Sequence, residues 1–143
     1  MGLFTAINTA ASGMSAERLR MDVISNNIAN ANTTRTTQGG AYKRQIVVFE
    51  PRTSTDFASI LQREQSVGEG VRVVGIINDQ SPARRVYDPN HPDAGVDGYV
   101  EMPNINIVSE MVDMITATRS YEANVAIINA SKSMALKALD IGR

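Results

Sequence analysis

The placement of proline constrains the fold of this 143-residue chain more than any other feature. All five prolines lie between residues 51 and 103, and proline inside a helix removes a hydrogen bond and clashes with the preceding turn. Both ends of the chain can therefore form uninterrupted helices. We predict an α+β fold with three parts: an N-terminal amphipathic helix over 1–31, a linker and small β-rich outer domain over 32–103, and a C-terminal amphipathic helix over 104–143.

Both terminal segments carry apolar residues at alternating spacings of four and three, which predicts helices that pack along a coiled-coil-like seam. Glu17 interrupts the first series, and Thr118 and Lys132 interrupt the second. An isolated amphipathic helix has only marginal stability in water. The apolar faces of the two helices must therefore be covered by each other, by other chains or by both. The predicted assembly residues of the N-terminal helix are Leu3, Ile7, Ala10, Met14, Met21, Ile24, Asn27, Ile28 and Asn30. Those of the C-terminal helix are Ile107, Met111, Met114, Tyr121, Asn124, Val125, Ile128, Ala135 and Leu139.

The middle segment is rich in β-branched residues between turn-forming clusters, a pattern that predicts short strands. We expect a Thr/Asn/Gly-rich linker over 32–40 and a helical turn within 57–61. The predicted strands run over 42–50, 71–77, 84–87 and 96–102.

Composition narrows the classes of partner. The formal net charge of −1 argues against nucleic acid, because phosphate binding normally requires a basic excess. There is no cysteine, which excludes disulfides and thiolate metal sites. No apolar run approaches the roughly 18 residues of a membrane-spanning helix, and we expect no direct membrane insertion and no cleavable secretion signal. A membrane-surface role for residues 2–24 remains an alternative, although their polar face has few basic residues.

Catalytic and metal-binding patterns are weak in this sequence. His91, the one histidine, lies between turn-forming prolines, where a rigid turn explains it better than a catalytic or metal-ligating role. Asp93 and Asp97 lie in a glycine-containing loop with no apolar surroundings to raise a pKa. Gly68-Glu69-Gly70 lacks the rest of a dinucleotide-binding motif. We therefore expect no enzymatic activity, no cofactor and no metal.

Several motifs resemble those of bacterial flagellar rod and hook proteins. In the N-terminal helix they are ASGM at 11–14 and SNNIANANT at 25–33. Motifs in the second half resemble the FlgC family of basal-body rod proteins: VYDPNHPDA at 86–94, GYV at 98–100, MPNIN at 102–106, EMVDM at 110–114 and RSYEAN at 119–124. The resemblance covers nearly the whole chain and is weakest across 33–41 and 53–68.

This resemblance implies a structural subunit of the proximal rod, the shaft that crosses the periplasm. In that family the terminal helices form the inner tube of the rod, and the middle segment forms an outer domain. The implied partners are copies of the chain itself, other rod subunits, the adaptor between rod and membrane ring, and the flagellar type III export apparatus. Another proximal-rod subunit of the same family is the nearest alternative.

Overall fold

A computed structural model describes residues 2–37, 39–52 and 69–142 of the chain. Two long helices enclose four short strands in the sequence, so the predicted α+β class is confirmed. The helical turn expected within 57–61 lies outside the described residues. In chain order the elements are α1 (Leu3–Ala29), β1 (Gln45–Pro51), β2 (Val71–Asn78), β3 (Arg84–Tyr87), β4 (Tyr99–Met102) and α2 (Ile107–Ile141).

Asparagine residues lie at the end of α1 and at the start of α2. The Oδ1 atom of Asn106 accepts hydrogen bonds from the backbone N–H groups of Val108 (3.0 Å) and Ser109 (3.4 Å). This cap satisfies donors that have no partner inside α2, and it explains why α2 begins at Ile107 rather than at the predicted 104. α1 ends at Ala29, two residues before its predicted end, where the asparagine-rich run favours turns over helix.

The strands form two separate two-stranded sheets, in which β1 pairs with β2 and β3 pairs with β4. The second pair is antiparallel, from Arg84 opposite Met102 to Tyr87 opposite Tyr99. The predicted bounds of β3 are confirmed. The strand predicted over 96–102 was too long, because Gly98 adopts a left-handed φ of 72° in a turn before Tyr99.

The described residues fall into two compact units, and each unit contains parts of both helices and of the β region. Unit 1 comprises residues 1–19, 48–75 and 117–143, and unit 2 comprises 20–47 and 76–116. Their cores are small. The buried apolar side chains are Ala10, Ala16 and Ala117 in unit 1, and Val23, Ile24, Ala31 and Val100 in unit 2.

Within unit 2 the two helices run antiparallel. Arg20 of α1 contacts Asp113 of α2, whereas Asn27, further along α1, contacts Glu110, which is earlier in α2. Neither helix, over its described residues, contains a segment long and apolar enough to cross a membrane.

Candidate assembly site

Asn27 connects α1 to the first residue of β1 inside unit 2. Its Nδ2 atom donates to the carbonyl oxygen of Gln45 at 2.9 Å, and its Oδ1 atom accepts from the Gln45 N–H, also at 2.9 Å. One carboxamide thus pairs with both backbone groups of Gln45, as an adjacent strand would. Asn27 is only 1% exposed, so these bonds form where water cannot replace them.

Glu110, in the first turn of α2, is equally buried and is held by the same cluster. Its Oε2 atom accepts from Asn27 Nδ2 at 3.1 Å, and its Oε1 atom lies 2.6 Å from Arg44 Nε. Arg44 also approaches Asp113 at 3.7 Å, and Asp113 lies 3.4 Å from Arg20. The two carboxylates are therefore balanced by two guanidinium groups, which offsets the cost of burying charge.

Tyr42 covers one side of this cluster. Its hydroxyl donates to Asn27 Oδ1 at 3.2 Å and accepts from Asn26 Nδ2 at 3.4 Å. Burial raises the pKa of Tyr42 above its ordinary value of 10.0, and the nearby carboxylate of Glu110 raises this pKa further. We name the four residues Asn27, Arg44, Gln45 and Glu110 the polar clamp, since they join α1, β1 and α2.

A second connection between α1 and the strands lies in unit 1, at the ASGM motif. Ser12 Oγ donates to the Thr9 carbonyl at 2.7 Å and accepts from the N–H of Val71, the first residue of β2, at 3.1 Å. Gly70 has a left-handed φ of 105°, and a Cβ atom there would overlap Ser12 Oγ. Glycine is thus required both by the backbone conformation and by the close approach of α1.

The next residue of that motif, Gly13, allows α2 to approach α1 closely in unit 1. A Cβ atom built on Gly13 would lie 2.9 Å from Asn124 Nδ2. Asn124 is held in place by a 3.0 Å hydrogen bond from Nδ2 to the Ser120 carbonyl. The N-terminal and C-terminal motifs therefore meet inside the chain, with Gly13 against Asn124 in unit 1 and Asn27 against Glu110 in unit 2.

The side chains that α2 buries are polar or small, whereas many of its large apolar side chains are exposed. Its buried residues are Glu110, Ala117 and Ser131. We define the outer face of α2 in unit 2 as Ile107, Val108, Met111, Val112 and Ile115, which are 44–70% exposed. In unit 1 the exposed apolar residues of α2 are Ile127, Met134, Leu136, Leu139 and Ile141. A helix that is apolar around much of its circumference is normally covered by other chains or membrane.

The predicted assembly residues differ widely in exposure within the subunit. The buried ones are Ala10, Ile24 and Asn27. The exposed ones are Ile107, Met111 and Leu139. The partly exposed ones are Leu3, Ile7, Met14, Met21, Ile28, Asn30, Met114, Tyr121, Asn124, Val125, Ile128 and Ala135. Their roles between subunits stay predictions.

Sequence reasoning missed several residues of this site. Val108, Val112 and Ile115 lie off the heptad series, although their spacing of three and four would have placed them on one helix face. Arg44 and Glu110 are charged, and no sequence signal indicated their pairing. Among the described residues there is no group of three or more His, Asp or Glu side chains arranged to hold a metal ion. His91 accepts the Asp93 N–H at 3.1 Å within its turn.

Two family descriptions match this chain. "Flagella basal body rod protein" matches residues 7–35, and "Flagellar basal body rod FlgEFG protein C-terminal" matches residues 96–141. Similar proteins include three called flagellar basal-body rod protein FlgC. The one from Borreliella burgdorferi is 51% identical, with 99% of this chain and 98% of the relative covered. Those from Bacillus subtilis and Salmonella typhimurium are 44% and 37% identical, with 100% of both chains covered.

Proposed function

Because this chain belongs to the FlgC family of flagellar basal-body rod proteins, we propose that it is a structural subunit of the proximal rod and polymerises through its terminal helices. Family membership supports assembly with other rod subunits of the basal body. The proposed role is mechanical rather than enzymatic: the assembled helices form a stiff shaft that transmits torque. The observation that carries this proposal is the exposed apolar outer face of α2.

The outer face provides the free energy for assembly. Burying one large aliphatic or Met side chain contributes about 1.5–3 kcal/mol, and Ile107, Val108, Met111, Val112 and Ile115 are all available. They lie on the side of α2 away from the buried carboxylate of Glu110, so a neighbouring subunit can cover them without disturbing contacts within the chain. Each subunit repeats this face, which suits the helical packing of many copies.

Charge balance supports the same proposal. Residues 1–31 carry two acidic and two basic side chains: Glu17, Asp22, Arg18 and Arg20. Segments with no net charge can be packed at high density without mutual repulsion.

The proposal also covers how the subunit reaches its site and which proteins it meets there. We propose that the flagellar type III apparatus exports the subunit and that the rod it joins spans the periplasm. An adaptor between rod and membrane ring is a further proposed neighbour. Parts of the terminal helices become fully ordered only when neighbours cover their apolar surfaces, because an isolated helix with such surfaces is marginal in water.

Two variants of α2 test the assembly role of the outer face. In a bacterium that depends on this gene for its rod, Met111→Asp should abolish motility and leave basal bodies without a complete rod, because a charge would be buried between subunits. Ser109→Asp is the matched control, since Ser109 is exposed on the same helix, outside the apolar face. It should leave motility intact. Circular dichroism of both dilute subunits should be the same, and normal motility of the Met111→Asp strain would refute the proposal.

A further inference from the structure

Building on the proposed function, we propose that the polar clamp determines which side of α2 packs against α1 and β1 within unit 2. The opposite side, which is the outer face, then remains available to another copy of the chain. Asn27 and Arg44 are the positioning residues, and the carboxylate of Glu110 is the group that they select. The clamp thus specifies the orientation of α2 about its own axis, and it contributes little to the net stability of the fold.

Apolar contacts alone would favour a different orientation of α2 in unit 2. The five large apolar side chains of the outer face are 44–70% exposed, whereas Glu110 is 1% exposed. Successive residues of a helix are separated by about 100° around the axis and about 1.5 Å along it. A movement of that size would bring Met111 to the place of Glu110. Because removing apolar side chains from water favours such a movement, a directional interaction must oppose it.

The clamp supplies this directional interaction. Asn27 Nδ2 donates to Glu110 Oε2 at 3.1 Å, and Arg44 Nε lies 2.6 Å from Glu110 Oε1. If Met111 took that place, Arg44 would face an apolar side chain and Asn27 would lose an acceptor. Buried polar groups without partners carry the full cost of desolvation. In the correct orientation the same cost offsets most of the attraction between the charges, so the clamp acts mainly against the wrong orientations.

The half of the clamp that comes from α1 and β1 is held together without α2. The carboxamide of Asn27 pairs with the N–H and the carbonyl of Gln45, both at 2.9 Å. Between them, the backbone N–H of Tyr42 donates to the Thr33 carbonyl at 3.1 Å. Asn27 and Arg44, the neighbour of Gln45, are therefore positioned for whichever side of α2 they meet. A buried polar residue in a coiled coil fixes the register of its partner helix in a comparable way.

An apolar version of the clamp tests this role. In Arg44→Met with Glu110→Leu, apolar side chains replace both charges, while Asn27 still pairs with Gln45. Such replacements are often neutral or stabilising, so the midpoint of urea unfolding should be unchanged or higher. Val112→Cys, at a position that is 57% exposed in the outer face, reports the orientation of α2, since the chain has no cysteine of its own. In monomeric samples, thiol labelling of this reporter should slow at least about twofold, because both orientations become populated.

Glu110→Gln separates the choice of orientation from stability. It retains the shape of the side chain and an acceptor for Asn27, but it removes the charge that pairs with Arg44. The midpoint of unfolding should therefore fall, while the reporter is labelled at the same rate as in the unmodified subunit. In cells, Glu110→Gln should remain motile, whereas the apolar clamp should lose motility despite its normal stability. A role in stability alone predicts the opposite order.

Arg72→Met with Glu50→Leu is the matched control. It makes the same two replacements at an exposed ion pair of 2.7 Å between β1 and β2, so it introduces the same change in charge and apolar surface without altering the clamp. Labelling of the reporter should stay at the unmodified rate. Equal slowing in this control and in the apolar clamp would show that orientation does not depend on the clamp.

Two further outcomes would overturn the proposed role of the clamp. One is unchanged labelling in the apolar clamp, and the other is a marked loss of its stability, which would make the clamp a stabilising contact rather than a selective one. Labelling requires only the free subunit, so it distinguishes the two proposals. A motile Met111→Asp strain would refute the rod-assembly role of the outer face alone. Loss of motility in Met111→Asp, together with unchanged labelling in the apolar clamp, would refute the role of the clamp alone.

Discussion

The exposed and buried sides of α2 reverse the usual arrangement of a surface helix. We define the inner face of α2 as its buried residues Glu110, Ala117 and Ser131. Its buried positions include a glutamate, an alanine and a serine, whereas isoleucine, valine, methionine and leucine side chains are exposed. A helix at the surface of a self-sufficient domain normally has apolar residues inside and polar residues outside. The inner face of α2 therefore provides specific contacts within the chain, and its outer face holds the apolar area that suits contacts between chains.

This division separates two kinds of contact by their physical chemistry. Directional hydrogen bonds at Asn27 and Glu110 determine which segments meet, because misplacing them leaves buried groups without partners. Apolar area determines how strongly neighbouring surfaces associate, because its contribution grows with the area removed from water. Residues from the two recognisable motif regions, Ser12 and Gly13 in one and Glu110 and Asn124 in the other, contribute to contacts within the chain.

The largest expected effect in the free subunit comes from removing the buried carboxylate of the inner face. Glu110→Ala leaves Asn27 Nδ2 without one acceptor and Arg44 without its 2.6 Å partner. Breaking a buried charge pair costs about 3–5 kcal/mol, and the 27% exposure of Arg44 places the expected loss near the lower value. Urea denaturation of the dilute subunit measures this difference.

Asp113→Ala is the matched comparison, because this carboxylate lies one turn later in α2 and also approaches Arg44. The side chain of Asp113 is 36% exposed and its ion pairs are longer, at 3.4 and 3.7 Å. We expect it to cost less than about 1 kcal/mol, as exposed ion pairs do. Equal losses in the free energy of unfolding for the two variants would show that the burial of Glu110 does not make its ion pair more important than that of Asp113.

Apolar periodicity predicted the helices better than it predicted their faces. Proline placement left both ends of the chain free to form helices, and the predicted helices agree with α1 and α2 to within three residues at each described end. The heptad series includes Met111 and Val125, whereas the contacts within the chain use their neighbours Glu110 and Asn124. Since α2 is apolar around most of its circumference, periodicity alone cannot choose the face that packs inside the subunit.

Local sequence patterns also predicted the strands better than the contacts of the polar clamp. β3 was predicted residue for residue, because its β-branched and aromatic residues end at a clear turn. The predicted start of β1, at Tyr42, was three residues early. The backbone N–H of Tyr42 bonds to the Thr33 carbonyl, and pairing with Asn27 begins at Gln45. Contacts between residues 66 or 83 positions apart leave no local signal in one sequence.

A smaller effect is expected where the helices approach each other at Gly13 in unit 1. Gly13→Ala should gain about 1 kcal/mol from helix propensity, but its Cβ would lie 2.9 Å from Asn124 Nδ2. We expect these terms to offset each other, so the thermal midpoint should hardly change. In an Asn124→Ala background the contact is absent, and the same substitution should stabilise the subunit by most of that amount. If Gly13→Ala alone gained the full stability, the space between Gly13 and Asn124 would be large enough for a Cβ atom.

The smallest effect concerns the ionisation of Tyr42 beside the inner face. Its pKa in the folded subunit is raised above 10.0 by burial first and by the charge of Glu110 second. Between the unfolded and folded pKa values the unfolded chain has lost this proton and the folded chain retains it, so stability falls as pH rises above about 10. The difference in ultraviolet titration between the unmodified subunit and Tyr42→Phe isolates this group.

Glu110→Gln should lower the pKa of Tyr42 only in part, because burial, the larger cause, remains in that variant. Asp113→Asn is the control, since the nearby charge that raises the pKa of Tyr42 is that of Glu110. If both variants lowered the pKa of Tyr42 equally, Glu110 and Asp113 would contribute equally to the raised pKa. A fall confined to Glu110→Gln would instead show that the buried carboxylate acts locally, within the buried cluster that also contains Asn27.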